Sequence, residues 1–511
     1  MTSQAAEEID RPAPFAPRLT LSLAVLACLL GCPTDPTKEL AASELRAHGR
    51  PERSSVILIV NDTMRRDRVG IYGGPAQTPH FDAFARENLL FDVAYSTAPW
   101  TKPSMATLFT SLYPSQHRMT SHPTLRPSGT TSLDLKTDVL SDEFTTLAEI
   151  LSGNEFKTAA FVGNPWMKDE FGFAQGFETY DDSFASWHVP GEVISRKGLD
   201  WLEALGAEDR FLLYLHFMDT HRPYPPLTRD EAERASKSPA RHDTPLSRPG
   251  QRAIAEQVFL EGGVLAAHAG IRPTVPLLER AYDKGIEQFD QALGDFLTAF
   301  ESHEAYDRTA IIVVSDHGEA LFARGWDNHG NGLYEDEVAI PLAARLPGVS
   351  SSEGYRIESP VSIADLLPTL TTYLQVDAES SFPVFGRDWL APAEIEGRLA
   401  DRYLVVEGVM NSPSHRAVRH QQYKALSQPG RWPNDPQPRA LFLPRKDPGE
   451  ENDLLILGKS EAGTKAETRE IFDDLLRGGA KSVPEVAMPD AEQIPLDPTT
   501  VKRLKALGYI Q

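Results

Sequence analysis

The chain has 511 residues, 41% of them apolar, enough for one large core with a smaller one beside it, which excludes wholesale disorder. A formal charge of −22, with basic residues scattered singly, excludes a general nucleic-acid binder, because nothing gathers to neutralise a phosphate backbone. Cys28 and Cys32 are the only cysteines, so no disulfide framework supports the core.

Residues 19–32 follow Arg18 as an apolar stretch of about a dozen residues, too short to cross a ~30 Å hydrocarbon layer as a helix. The stretch reads as a signal peptide over residues 1–31. Its ending, Leu29-Leu30-Gly31-Cys32, is similar to a bacterial lipobox, which makes Cys32 the lipidated first residue of a mature chain tethered by residues 32–53. Membrane contact is then through the lipid anchor only, at the cell envelope on its periplasmic or outer-membrane face. A secreted protein with an ordinary signal peptide, or a buried helix with an incidental cysteine, is the alternative. The leader carries Glu7, Glu8 and Asp10 against Arg11 and Arg18, unlike the cationic start of most export leaders.

From residue 55 the run Val56-Ile57-Leu58-Ile59-Val60 has the continuous aliphatic pattern of a strand buried on both faces. Similar runs occupy residues 158–162, 211–218 and 309–314, with amphipathic helical stretches between them. This alternation predicts a mostly parallel sheet covered by helices on both sides. Ile286, Phe289, Leu293, Phe296, Leu297 and Phe300 recur at helical spacing and form a core-facing stripe. Residues 222–252, rich in Pro, Arg and Asp, show no periodicity and read as a surface excursion that shapes substrate choice, with loops near Trp166 and Trp187. Both tryptophans are better explained as packing. Beyond residue 392, residues 404–406, 415–425 and 440–443 look like short antiparallel strands and 497–508 like a closing helix, so residues 393–511 are expected to form a smaller α+β subdomain.

Four clusters sit where these strands stop, and ligand sites of open parallel sheets lie outside the carboxyl ends of strands. The first is Asp62-Thr63. The second is Thr101, just before a helix whose first turn holds Pro103, where unpaired backbone N–H groups favour negative charge. The third is Asp219-Thr220-His221 and the fourth Asp316-His317, where Gly318 allows the backbone to turn both side chains toward one ion. Asp327-Asn328-His329 adds another imidazole. Taken singly, each has a plain structural explanation: a helix cap for Asp62 or Thr101, loop backbone hydrogen bonds for Asp219 and His221, and an ordinary strand-to-helix turn for Asp316-His317. Together they suggest a metal beside a hydroxyl nucleophile, because cation coordination activates an otherwise weak threonine.

The order and spacing of these blocks resemble the sulfatases of the alkaline phosphatase superfamily. The resemblance covers residues 55–347 and is carried by Asp62-Thr63 with Asp67 and Gly70-Ile71-Tyr72-Gly73, by Thr78-Pro79-His80-Phe81-Asp82, and by Leu112-Tyr113-Pro114-Ser115-Gln116-His117. Residues 218–224, 315–319 and Ile340-Pro341-Leu342 continue it, with a weaker echo in Asp447-Pro448-Gly449-Glu450 and Leu507-Gly508-Tyr509. It implies an α/β fold, a three-layer sandwich around a large mostly parallel sheet, with residues 54–392 as the hydrolase domain.

By position, the resemblance implies that Asp62, Asp316 and His317 hold one divalent cation that also touches Thr101. The ion is Ca, Mg or Mn by its hard oxygen ligands, or Zn by the imidazole. His221, His329 and Asn164 are expected to contact the transferred group or its leaving oxygen; a second ion among Asp219, His221 and His329 is possible. One departure stands out. Sulfatases of this family carry Cys or Ser, converted to formylglycine, in a signature ending in Arg, whereas this chain reads Thr101-Lys102-Pro103-Ser104-Met105. Formylglycine is therefore not expected, and a covalent threonine ester takes its place. The expected activity is metal-dependent hydrolysis of sulfate or phosphate esters of a small molecule, glycan or lipid. The alternatives are a phosphoethanolamine- or phosphoglycerol-type transferase and a non-catalytic binding protein on a degenerate sulfatase scaffold. Oligomeric state is not legible.

Overall fold

The computed structural model describes residues 51–121, 136–184, 189–239, 248–349, 354–390, 401–410, 412–427, 439–457, 459–460 and 463–506. The leader, Cys32, nearly all of the proposed tether, and Trp187 lie outside the described residues. Among those described, no helix is long and apolar enough to cross a membrane.

Eight strands form the main sheet: β1 (Ser55–Asn61), β2 (Leu89–Phe91), β3 (Lys157–Val162), β4 (Thr179–Asp181), β5 (Phe211–Phe217), β6 (Thr309–Ser315), β7 (Leu342–Arg345) and β8 (Tyr355–Ile357). Their spatial order is β8-β2-β7-β6-β1-β5-β3-β4, and β7 alone runs against the rest. All seven residues of β1 are buried, as are those of β5 and β6, because helices cover both faces.

The alternation of side chains along β1 feeds two cores. On one face Val56, Leu58 and Val60 join Met105 and Leu108 of helix α1 (Thr101–Thr110), Leu147 of α2 (Leu147–Gly153) and Leu366 of α3 (Leu366–Leu374). On the other, Ile57 and Ile59 join Ile194 of a helix at Gly191–Glu203 and Leu278, Ile286, Phe289 and Leu293 of the long helix Val275–Phe300. Each fully buried aliphatic side chain contributes about 1.5–3 kcal/mol, so this one strand is a principal anchor of both layers. The expected three-layer α/β sandwich is observed.

The excursion at residues 222–252 differs from expectation. It contains a helix, Arg229–Lys237, opened by a capping box in which Thr228 and Glu231 bond each other's backbone N–H. Only Ala232 and Ala235 are buried from this helix, and they pack in the core that includes Val275–Phe300. So narrow an apolar stripe is hidden among charges in the sequence. Toward the C-terminus, β9 (Leu404–Val409), β10 (Ser412–His420), β11 (Tyr423–Ser427) and β12 (Arg439–Phe442) form an antiparallel sheet in sequence order. Phe472 and Leu475 of a helix at Lys465–Ser482 cover it, against Val418, Ala425 and Leu441. The closing helix, Pro498–Ala506, sends Leu504 into the core beneath β1.

Candidate active site

Strand register brings the predicted clusters together. Asn61 pairs with Phe217 and with Ser315, and Val162 pairs with His216. Asp62, Asn164, Asp219 and Asp316 therefore emerge from one edge of the sheet. Thr101 arrives from a different segment, as the first residue of α1 with Trp100 flanking it, one position further into the helix than expected.

Asp62 is wholly buried. Its Oδ2 accepts from the Thr101 hydroxyl at 3.4 Å, lies 3.1 Å from His216 Nε2, and is hydrogen-bonded by Asn164 Nδ2. Asn164 Nδ2 also lies 3.3 Å from Thr101 Oγ1. Asp316 Oδ1 accepts from the backbone N–H of Thr63 at 3.1 Å and of His317 at 2.8 Å. The remaining oxygens, Asp62 Oδ1 and Asp316 Oδ2, accept no hydrogen bond. His317 Nδ1 donates to the Gly318 carbonyl at 2.8 Å, which leaves the lone pair on Nε2. That nitrogen sits 3.3 Å from Thr101 Oγ1, 3.3 Å from Asp316 Oδ2 and 3.9 Å from Asp62 Oδ1.

Asp62, Asp316 and His317 each offer one ligand atom, all within 4.8 Å of one another. Three lone-pair donors converging in a buried space repel one another unless a cation lies between them, so this donor set fits a divalent ion. The charges reflect the crowding. Burial pushes both carboxyls up, and Asp316 ends well above the ordinary range because Asp62 faces it. At Asp62 the His216 hydrogen bond and the nearby His221 and His317 outweigh burial and hold it below that range. Burial lowers the pKa of His317 and brings that of His221 down to about 4.

His221 and His329 stand beside this group: the His329 ring is 4.5 Å from that of His317 and 5.3 Å from that of His221. Asp219 is placed differently. Its Oδ1 accepts from the Gly191 N–H at 3.0 Å, at the start of a helix, and burial raises its pKa to about 7. Among the described residues Asp219, His221 and His329 do not form a second metal-ligating group. Lys102 turns into the core, where its ammonium bonds Thr137 and the Asp138 carbonyl and lies 5.3 Å from the Trp166 ring. Met105, where the signature ends in Arg, is fully buried, and so is Trp166. His216 escaped the sequence reading, because a histidine inside the strand Leu215-His216-Phe217 looks like core; only its position across from Val60 shows its contact with Asp62.

The profile of the Sulfatase family matches residues 54–376. The chain belongs to the sulfatase family. An ulvan-active sulfatase of Formosa agariphila is 24% identical over 485 residues, covering 87% of this chain and 84% of that one. Two solved structures share the fold. A protein solved with its substrate D-glucosamine-2-N,6-O-disulfate has a TM-score of 0.64 at 17% identity, covering 84% of this chain and 98% of that one. A phosphonate monoester hydrolase of Agrobacterium radiobacter has a TM-score of 0.63 at 19% identity, covering 84% and 96%. The main sheet with its loops is thus a sulfatase scaffold, and the chain is a sulfatase-family hydrolase that presents threonine at residue 101.

Proposed function

We propose that this sulfatase-family protein hydrolyses sulfate or phosphate esters through Thr101, with a divalent cation held by Asp62, Asp316 and His317. The observation that carries the reading is the convergence of Asp62 Oδ1 and Asp316 Oδ2, which accept no hydrogen bond, with His317 Nε2, which lies 3.3 Å from the Thr101 hydroxyl. When bound, such a cation lowers the pKa of a hydroxyl in contact with it and neutralises the nonbridging oxygens of the ester.

The chain's own groups supply the rest. The Thr101 hydroxyl donates to Asp62 Oδ2, which turns an oxygen lone pair toward the entering ester. Asn164, held by its Oδ1 accepting from the Trp166 N–H at 2.7 Å, offers Nδ2 to the same oxygens. Attack in line transfers the group to Thr101, an adjacent imidazole protonates the departing alcohol, and water then displaces the group from the threonine. A formylglycine diol releases sulfate by collapse of a hemiacetal; a threonine ester has no such route and must be attacked at the central atom. This favours phosphorus esters as the better substrates. The sulfated sugar bound by one fold neighbour supports a glycan on the leaving side, and the lipobox-like Cys32 supports an envelope location.

The test is a panel of aryl sulfates, phosphate mono- and diesters and phosphonates assayed with several divalent ions, with mass spectrometry of the peptide holding Thr101. Trapped phospho- or sulfo-threonine is expected. Oxidation to a carbonyl at that peptide, or a protein that takes up no divalent ion, overturns the reading.

A further inference from the structure

The two histidines beside Thr101 are held by unlike partners. His221 Nδ1 donates to the backbone carbonyl of Arg222 at 2.7 Å. His329 Nδ1 instead lies 3.3 Å from Oε2 of Glu319. Glu319 is fully buried and its Oε1 accepts no hydrogen bond. The backbone of Glu319 is pinned on both sides: its N–H donates to the Asp336 carbonyl at 3.0 Å, and its carbonyl accepts from Arg65 Nη1 at 2.9 Å. The loop bearing His329 is pinned as well, by the Asn331 N–H to Glu337 at 3.0 Å and the Met410 N–H to the Gly330 carbonyl at 2.8 Å. A buried carboxylate held this rigidly, with an imidazole as its hydrogen-bond partner, is costly to keep as packing alone.

The partners decide what each ring can do. A carbonyl fixes a neutral tautomer, whereas a carboxylate also steadies the ring while it carries protons on both nitrogens. An imidazole bound through Nδ1 turns Nε2 away from that partner. We propose that Glu319 is a positioning residue that orients His329 as the proton donor to the leaving oxygen, while His221 serves the oxygens of the transferred group. This assignment rests on the ester-hydrolase reading above. In the first half-reaction the bond from Thr101 Oγ to the central atom forms as the ester bond breaks, and the released electron pair stays on the leaving oxygen, which takes the proton from His329 Nε2. In the second half-reaction water attacks the threonine ester and its proton returns to Nε2, so one water is consumed and the histidine is restored.

The experiment compares kcat/KM across esters of one acid, from an acidic nitrophenol through phenol to an alkyl alcohol, for the parent protein, Glu319→Gln, His329→Ala, their double variant and His221→Ala. Help to a leaving oxygen matters most when that oxygen is basic, and general acid catalysis contributes about 10²–10⁴-fold. Glu319→Gln is expected to lose about 100-fold or more on the alkyl ester and only a few-fold on the nitrophenyl ester. His329→Ala shows the same tilt, the double variant is no worse than His329→Ala, and His221→Ala loses evenly along the series. Glu319→Asp, which keeps the carboxylate, shows a smaller tilt than the Gln variant and serves if the Gln variant does not fold. An equal loss of all esters in Glu319→Gln, unchanged rates, or additive losses in the double variant overturn the assignment. A parent protein inert toward every ester overturns the hydrolase reading and this assignment with it.

Discussion

Two groups of buried charge lie at opposite ends of the same design choice. At the carboxyl edge of the main sheet, Asp62 and Asp316 each keep one oxygen without a hydrogen bond. At the border of the C-terminal sheet, Lys424 lies 3.0 Å from Glu335 and 3.0 Å from Glu450, and Arg419 lies 3.3 Å from Glu335. There the charges answer one another, and Glu335 drops to about 2 because Lys424 and Arg419 outweigh its burial. Both groups bear the cost of desolvation, but in the second Lys424 and Arg419 outweigh the burial of Glu335, whereas in the first burial and the facing Asp62 leave Asp316 well above the ordinary carboxylate range. On the proposed reading the first is completed from outside by a cation, which is what separates a reaction centre from a structural clamp.

Four experiments break or sharpen that contrast. Removing the proposed nucleophile, Thr101→Ala, is expected to lower kcat by at least about 10³-fold on the best ester while the melting temperature stays near that of the parent. Asp316→Asn is expected to lose the bound divalent ion, read by elemental analysis, and most of the turnover. In chelator it should melt at or above the parent, because one of two facing carboxyls is gone. A clear drop in stability there would place Asp316 with the clamp instead. Lys424→Met is expected to do the opposite, costing about 3–5 kcal/mol in denaturant unfolding while the folded fraction keeps its turnover.

The smallest effect concerns Lys102, whose pKa burial lowers to about 7. The unfolded chain holds that proton up to about pH 10.4, so between about pH 7 and 10.4 the unfolded state binds more protons and stability gains from this group as pH rises. Lys102→Met is expected to remove that part of the slope. Denaturant unfolding at pH 7 and pH 9 measures it, and an unchanged slope would show that Lys102 keeps its proton in the folded protein across the range.

The strands were legible because burial on both faces forces unbroken aliphatic runs such as Val56-Ile57-Leu58-Ile59-Val60, and polar residues right after them mark strand ends. Asp62, Asp316 and His317 follow from that rule. His216 does not, since its contact with Asp62 depends on how β5 aligns with β1. Asp219 shows what the strand-end rule leaves open: one of its oxygens accepts from the N–H of Gly191, while the other accepts no hydrogen bond. The helix Arg229–Lys237 had a readable start in Thr228 and Glu231, a hydroxyl followed three residues later by an acid, but its two-alanine stripe gave too little periodicity to notice.

The ligand-bearing loops follow neighbouring strands of one sheet, whereas Thr101 rides on a separate helix that only meets them in space. On the proposed reading, attacking group and cation cradle are therefore carried on independent pieces of chain. On that reading the side chain at the helix start can be exchanged without disturbing the loops that hold the cation, so the scaffold fixes where a reaction happens more firmly than which atom begins it.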